Sequence, residues 1–296
     1  MKKLLIKNFN IRNHTTIKVG GITEYFAEPN NIYEFLDLLE WSHLNNQKCL
    51  IIGAGSNLLI NNIFLKGLII CTKKMKTLKI EPETGIVEAE AGVMLPTLST
   101  SLAKYGLQGG EWAVGIPGTL GGAICMNAGT RDISLANNLI SVKVINSKTL
   151  EIFELKKKEI NFGYRFSPFQ DNDLMIISAK MHFIPKGNIS NIIQTTKDIL
   201  KKKKESQPYH LPSFGSIFKN PDNNFAAKLI DDTGLKGLKI GGAEISNMHA
   251  NFIVNNSSAS SKDIFKLITL VQKKVQQNKG IFLQLEVRMI GFDYPK

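Results

Sequence analysis

The sequence predicts an α+β protein of more than one domain. Three observations carry that expectation. At 296 residues the chain is long for a single hydrophobic core. Short apolar runs of strand length dominate its middle, while longer runs with helical spacing flank them. Two glycine-rich stretches interrupt the pattern: 115–129, which is too apolar to be a linker, and 53–58, a turn between two apolar runs.

Residues 22–27 alternate loosely and read as a strand ending before Pro29. Asn31 with Glu34 resembles a capping box. Ile32, Phe35, Leu36 and Leu39 then recur at helical spacing, with Trp41 and Leu44 near the end. Strands are predicted at 49–52 and 68–72, with the first glycine turn between them. This strand–helix–strand content makes 1–70 a small α/β lobe.

Strands follow at 77–80 and 86–91, then a helix over 95–105. Pro96 suits its first turn, Leu95, Leu98, Leu102 and Tyr105 form one face, and Gly106 ends it. Runs at 139–145 and 150–155 flank a polar turn of hairpin type, Asn146-Ser-Lys-Thr149. Another strand is predicted at 175–183, so 71–187 reads as a strand-rich second lobe. A connecting helix, 188–205, buries Ile189, Ile192, Ile193 and Leu200 and ends in lysines that complement its dipole.

The third domain, 206–296, opens at Gln207-Pro208. It holds a helix over 225–232 stopped by Gly234, a strand at 251–254, and a long helix capped by Ser260 or Ser261. Ile264, Leu267, Ile268, Val271 and Val275 of that helix face inward. The last strand is predicted at 281–290, with Leu283, Leu285 and Val287 on one side and Gln284, Glu286 and Arg288 on the other. An α+β domain of this size has the makings of a lid over a substrate.

Composition excludes several classes. Hydrophobic residues make up 43% and charged residues 21%, as in soluble globular proteins. No apolar run approaches the roughly 18 residues of a membrane span, and the start lacks the roughly 7–15 apolar residues of a signal peptide. A cytoplasmic protein is expected. Cys49, Cys71 and Cys125 are scattered without a CxxC pattern and read as free, buried thiols. The five histidines show no metal-ligand spacing. The formal charge of +12 would gather polyanions, but charge is the only feature that favours nucleic acid. Much of it lies in Lys201–Lys204, Lys156–Lys158 and Lys73-Lys74, which read as solvated helix ends and hairpin tips.

The glycine stretches carry the chemistry. In Gly115-Ile-Pro-Gly-Thr-Leu-Gly-Gly-Ala-Ile-Cys-Met-Asn-Ala-Gly129, five glycines alternate with small apolar residues. Such a backbone turns sharply and approaches bulky groups closely, and its N–H groups can form a nest for a phosphate. A tightly packed structural turn is the alternative. The other stretch, Gly53-Ala-Gly-Ser-Asn-Leu58, lacks the third glycine of a dinucleotide fingerprint. It leads into a short strand rather than the helix on which a pyrophosphate would rest. A strand–turn–strand phosphate loop remains.

These two loops and the opening His14-Thr-Thr-Ile-Lys-Val-Gly-Gly21 occur with Phe162-Gly-Tyr-Arg-Phe-Ser167, Pro212-Ser-Phe-Gly-Ser-Ile-Phe-Lys-Asn-Pro221 and Leu285-Glu-Val-Arg288. In that order, and over nearly the whole chain, the set resembles the MurB family of UDP-N-acetylenolpyruvoylglucosamine reductases. That family belongs to the FAD-binding superfamily of vanillyl-alcohol oxidase. The resemblance implies a two-lobed FAD-binding domain followed by an α+β substrate-binding domain, 206–296, in the type that lacks an extra substrate-covering loop. It implies FAD held non-covalently, NADPH as hydride donor, a UDP-sugar substrate and a role in peptidoglycan synthesis. A monomer that neither enters membranes nor binds nucleic acid is expected.

By the same resemblance Arg165 stabilises charge on the substrate carboxylate, Ser216 donates the proton, and Glu286 is a catalytic acid or enolate-stabilising group. Tyr164, Lys219 and Asn220 contact substrate. Gly53, Ala54, Gly55, Ser56, Asn57 and Leu58, with Gly115, Ile116, Pro117, Gly118, Thr119, Gly122 and Ala123, bind FAD, the two loops holding its pyrophosphate by backbone N–H groups. Two places depart from the family pattern. Thr130-Arg-Asp132 stands where an aromatic or histidine and a glycine are usual, and Gly109-Gly-Glu-Trp112 has a glycine where leucine is common. An oxygen-using flavin oxidase of the same superfamily is the alternative, with Cys125 and His14 as the residues to check for covalent flavin. A non-catalytic basic nucleotide- or nucleic-acid-binding protein is a second alternative.

Overall fold

The computed structural model describes residues 4–130, 133–171 and 173–293. The chain divides into two compact units. Met1–Lys7, Tyr25–Ala54 and Lys66–Lys203 form the first, and Asn8–Glu24, Gly55–Leu65 and Lys204–Lys296 form the second. Segments 8–24 and 55–65, early in the sequence, thus group with the C-terminal part of the chain.

In the first unit, helix α1 (Ile32–Leu44) starts at Asn31, whose Oδ1 accepts from Glu34 N–H at 3.0 Å. The predicted box closes only on this side. The Glu34 carboxylate instead accepts from the Asn30 N–H at 2.7 Å and its side-chain amide at 2.8 Å. These bonds hold the Glu34 pKa below the ordinary glutamate range. Phe35, Leu38 and Leu39 pack with Leu68, Ile70 and Met75. Strands run in the order Ile6–Asn10, Ile22–Ala27, Leu65–Cys71, Cys49–Ile52, the last pair parallel.

A second sheet is antiparallel throughout, in the order Leu78–Glu81, Ile86–Glu90, Leu174–His182, Leu139–Asn146, Ile152–Lys156. The expected hairpin is present in it, with Asn146 Oδ1 accepting from the N–H groups of Lys148 and Thr149 across the turn. Helix α2 (Leu95–Lys104) buries Leu95, Leu98 and Leu102 in the same core as Val142, Val144 and Phe183. Tyr105, expected on that face, lies past the helix end and is 54% exposed. Helix α3 (Leu120–Cys125) lies inside the long glycine stretch. Helix α4 (Ile189–Ser206) buries Ile192 and Thr196, one turn apart. Ile189, expected inside, is the first residue of the helix, ahead of that stripe, and is exposed; Ile193 and Leu200 are half-buried.

The second unit contains helices α5 (Ala226–Asp231) and α6 (Ser261–Lys279) and an antiparallel sheet in the order Ser213–Ser216, Phe252–Asn255, Ala243–Ile245, Lys239–Ile240. Ser260 caps α6 in a capping box with Asp263, and Gly280 ends it at φ 70°. Ile264, Leu267, Ile268, Val271 and Val275 are fully buried, as their spacing predicts. The strand predicted at 281–290 is regular only over Arg288–Ile290, where it runs parallel to Leu58–Ile60. Residues 281–287 are extended without a continuous partner, because their hydrogen bonds go to the Ser216 segment described below. Their alternation survives, with Leu283 and Val287 buried and Gln284 exposed.

Candidate active site

The first unit holds the second glycine stretch and the Arg165 loop, and hydrogen bonds tie them together. Thr119 caps α3, its Oγ1 accepting from Gly122 N–H at 3.4 Å. The stretch is anchored to the sheet by Leu120 N–H to Val93 O and Gly121 N–H to Ala91 O, both at 2.8 Å. The first glycine loop meets it here. A Cβ at Gly53 would stand 2.1 Å from Thr119 Oγ1, so a side chain there would push that hydroxyl out of its cap position. Gly122 is different: it is exposed, and a Cβ there would meet only Thr119 Oγ1, at 3.4 Å.

Past α3, Asn127 donates to Gly163 O at 2.8 Å, and Ser167 Oγ donates to Cys125 O at 2.7 Å. Gly163 and Phe166 exchange backbone bonds at 3.1 and 3.2 Å, closing a tight turn with Tyr164 and Arg165 at its tip. Arg165 takes φ 53°, a left-handed conformation that arginine rarely adopts. Gln170 Nε2 holds the Arg165 carbonyl at 3.0 Å. Arg165 Nη2 donates to Gly129 O at 3.1 Å, and its guanidinium lies 5.1 Å from the Tyr164 ring centroid. Lys203 of α4 is half-buried, and burial together with the Arg165 charge holds its pKa below the ordinary lysine range. Spacing gave no sign of this, since the lysine run reads as a solvated helix end. Arg131 and Asp132, where the sequence departs from the family, lie outside the described residues.

In the second unit, the strand Ser213–Ser216 carries a bulge. Ser213 faces Val254 and Ser216 faces Phe252, so one extra residue is accommodated. Gly215 supplies the bend at φ 79°. Beyond it, Ile217 O accepts from Glu286 N–H at 2.8 Å and Val287 N–H at 3.2 Å, and Lys219 N–H donates to Gln284 O at 2.9 Å. The segments that carry Ser216 and Glu286, separated by most of a domain in sequence, are thereby paired, and both residues are half-buried. The first glycine loop joins them. Asn57 Nδ2 donates to Glu286 O at 2.9 Å, and Asn57 O accepts from Arg288 N–H at 3.0 Å. His14–Gly21 supports this loop through Thr16 N–H to Gly55 O at 3.3 Å. Asn220, expected at the substrate, has its Oδ1 on Ala226 N–H at 3.0 Å, at the start of α5.

Two family models match the chain: "FAD binding domain" over residues 23–155 and "UDP-N-acetylenolpyruvoylglucosamine reductase, C-terminal domain" over 207–290. A UDP-N-acetylenolpyruvoylglucosamine reductase from Prochlorococcus marinus subsp. pastoris is 70% identical over 296 residues, the full length of both chains. The chain belongs to the MurB family. A Synechococcus reductase of the same name is 43% identical over 95% of this chain and 94% of its own. The crystal structure of the Thermus caldophilus MurB superposes with a TM-score of 0.80 at 30% identity, covering 95% of this chain and 97% of that one.

As a MurB-family member the protein is a flavin-dependent oxidoreductase of peptidoglycan precursor synthesis, with FAD as cofactor. The residues present fit that cofactor. A Cβ at Gly53 would crowd the Thr119 side chain, whereas at exposed Gly122 it would meet only Thr119 Oγ1 among the described residues, so a bulky group can approach the backbone there. Cys125, the cysteine to check for covalent flavin, directs its thiol to Phe169 O at 3.6 Å. Burial pushes the thiols of Cys49 and Cys71 up to about 12. Among the described residues, no group of three or more His, Cys, Asp or Glu side chains stands together as a metal site, and no helix is long and apolar enough to cross a membrane.

Proposed function

We propose that this chain reduces UDP-N-acetylglucosamine enolpyruvate to UDP-N-acetylmuramate with NADPH, using Arg165, Ser216 and Glu286 as its reacting groups. The backbone pairing of Ser216's neighbour Ile217 with Glu286, beside the first glycine loop, is the observation that supports the roles of Ser216 and Glu286; that of Arg165 rests on its held, left-handed turn. Bound FAD would supply the hydride, drawn from NADPH, that adds to the methylene carbon of the enolpyruvyl group. Negative charge then develops on the conjugated carboxylate. Arg165 answers it with a permanent positive charge and a planar fork, preorganised by its turn. Lys203 adds a second positive field. Ser216 delivers a proton to the neighbouring carbon. A serine hydroxyl is a weak acid, so Glu286, held on the adjoining segment, stabilises the charge or restores the proton.

On this reading Tyr164, Lys219 and Asn220 contact substrate, and the loops 53–58 and 115–123 line the FAD site; in the second loop the N–H groups of Gly118 and Thr119 are the donors for its pyrophosphate, because those of Ile116 and Leu120 to Ala123 are bonded within the protein. Residues 1–70 and 71–187 are FAD-binding lobes joined by 188–205 to a substrate-binding domain, 206–296. The two family-model matches support the separation of an FAD-binding part from a C-terminal domain. The chain acts as a cytoplasmic monomer. Anaerobic absorption spectra test the whole reading: NADPH bleaches the flavin band and the enolpyruvyl substrate restores it. Restoration by oxygen alone would transfer the assignment to an oxidase. Ser216→Ala is expected to leave flavin reduction by NADPH intact and to lower turnover about 10²- to 10⁴-fold.

A further inference from the structure

The strand that delivers Ser216 ends at that residue, so its ladder cannot fix the direction of the chain beyond. Asn251, 3% exposed, takes over. Its Oδ1 accepts from Phe218 N–H at 3.0 Å and its Nδ2 donates to Phe218 O at 2.9 Å, so one side chain satisfies both backbone groups of a residue 33 positions away. Its own carbonyl accepts from Ile217 N–H at 2.9 Å. Asn251 therefore closes three bonds on the two residues after Ser216, opposite the side where Ile217 O receives Glu286 and Val287 N–H. The amide imitates a strand's donor and acceptor at the point where the sheet is interrupted by the bulge.

We propose that Asn251 is a positioning residue for proton delivery, holding the Ser216 and Glu286 segments in register while touching neither substrate nor cofactor. The inference rests on the assignment of Ser216 and Glu286 to the reaction. A side-chain shift of about 1 Å at a reacting group costs on the order of 100-fold in rate, and losing both bonds to Phe218 releases the segment by that order. His249 is the titratable neighbour, its Nδ1 accepting from Asn251 N–H at 3.3 Å. Burial lowers the His249 pKa and so favours its neutral form beside the clamp.

The test separates the two half-reactions in the FAD-loaded enzyme by anaerobic rapid mixing. Asn251→Leu removes both bonds to Phe218, and Asn251→Ser keeps a short polar group should the leucine variant fail to fold. The proposal expects flavin reduction by NADPH at the unaltered rate. Reoxidation by the enolpyruvyl substrate should slow about 10- to 100-fold with KM for that substrate within a factor of about three. The solvent deuterium isotope effect on reoxidation should rise, because proton delivery becomes the slower step. Equal losses in both half-reactions, or a change carried by KM alone, would overturn it. Ser216→Ala measured alongside tells the two failures apart. If that variant reoxidises normally, the catalytic assignment fails. If it is blocked while both Asn251 variants reoxidise normally, only the positioning role fails.

Discussion

Arg165 sits at φ 53°, a conformation that costs roughly 1–2 kcal/mol for a side-chain-bearing residue. A glycine would avoid that cost but bring no guanidinium. The turn is held from outside by Asn127, Gln170 and the Gly129 carbonyl, so the surrounding structure imposes the strain. Lysine would keep the charge and lose the fork, so Arg165→Lys is expected to lower kcat about 10²- to 10³-fold with flavin reduction by NADPH unchanged. Steady-state kinetics beside single-turnover flavin bleaching checks this. Arg165, Ser216 and Glu286 can be proposed from the sequence because each stands in a short motif. The clamp of Asn251 and the burial of Lys203 cannot. Asn251 acts on a residue 33 positions away, and Lys203 is the member of a lysine run that burial sets apart, and neither property has a local signature.

Elements were legible where one rule governed them. Helix α6 has its cap, its inward stripe and its terminal glycine in the expected order. Ser260→Ala removes the cap and is expected to cost about 1 kcal/mol in thermal unfolding. Backbone and hydroxyl hydrogen bonds from Ser260 hold the Asp263 carboxyl below the ordinary aspartate range. The folded state thus favours the ionised form, and its contribution is complete above that range. It is lost as pH falls through the lowered value. Melting curves taken on descending pH should show that acid limb in the parent and a flatter one in Ser260→Ala. Helix α3 escaped prediction because its glycines mask helical propensity, and its stability comes from Thr119 and the bonds to Ala91 and Val93. The extended segment 281–287 escaped for the opposite reason: its alternation reads as a regular strand, but its partner is an irregular loop.

At the scale of the molecule, α+β content and the C-terminal family match agree with the sequence reading, and the pairing of 8–24 and 55–65 with the C-terminal part does not follow from order along the chain. The net charge of +12 faces substrates that are polyanions. KM values for NADPH and for the UDP-sugar are expected to rise severalfold between about 0.01 and 0.15 M salt as the Debye length shrinks from about 30 to 8 Å, with kcat little changed. Initial rates across a chloride series measure it.

The bond from Asn57 to Glu286 spans 229 residues. A ribosome adds about 5–20 residues per second, so roughly 10–50 s pass between the emergence of its two ends. Throughout that interval the nascent strand Leu58–Ile60, whose Leu59 and Ile60 are fully buried in the finished fold, lacks its partner Arg288–Ile290. The first glycine loop is synthesised early, yet the bonds that tie Asn57 to Glu286 and Arg288 form only after those residues have been made.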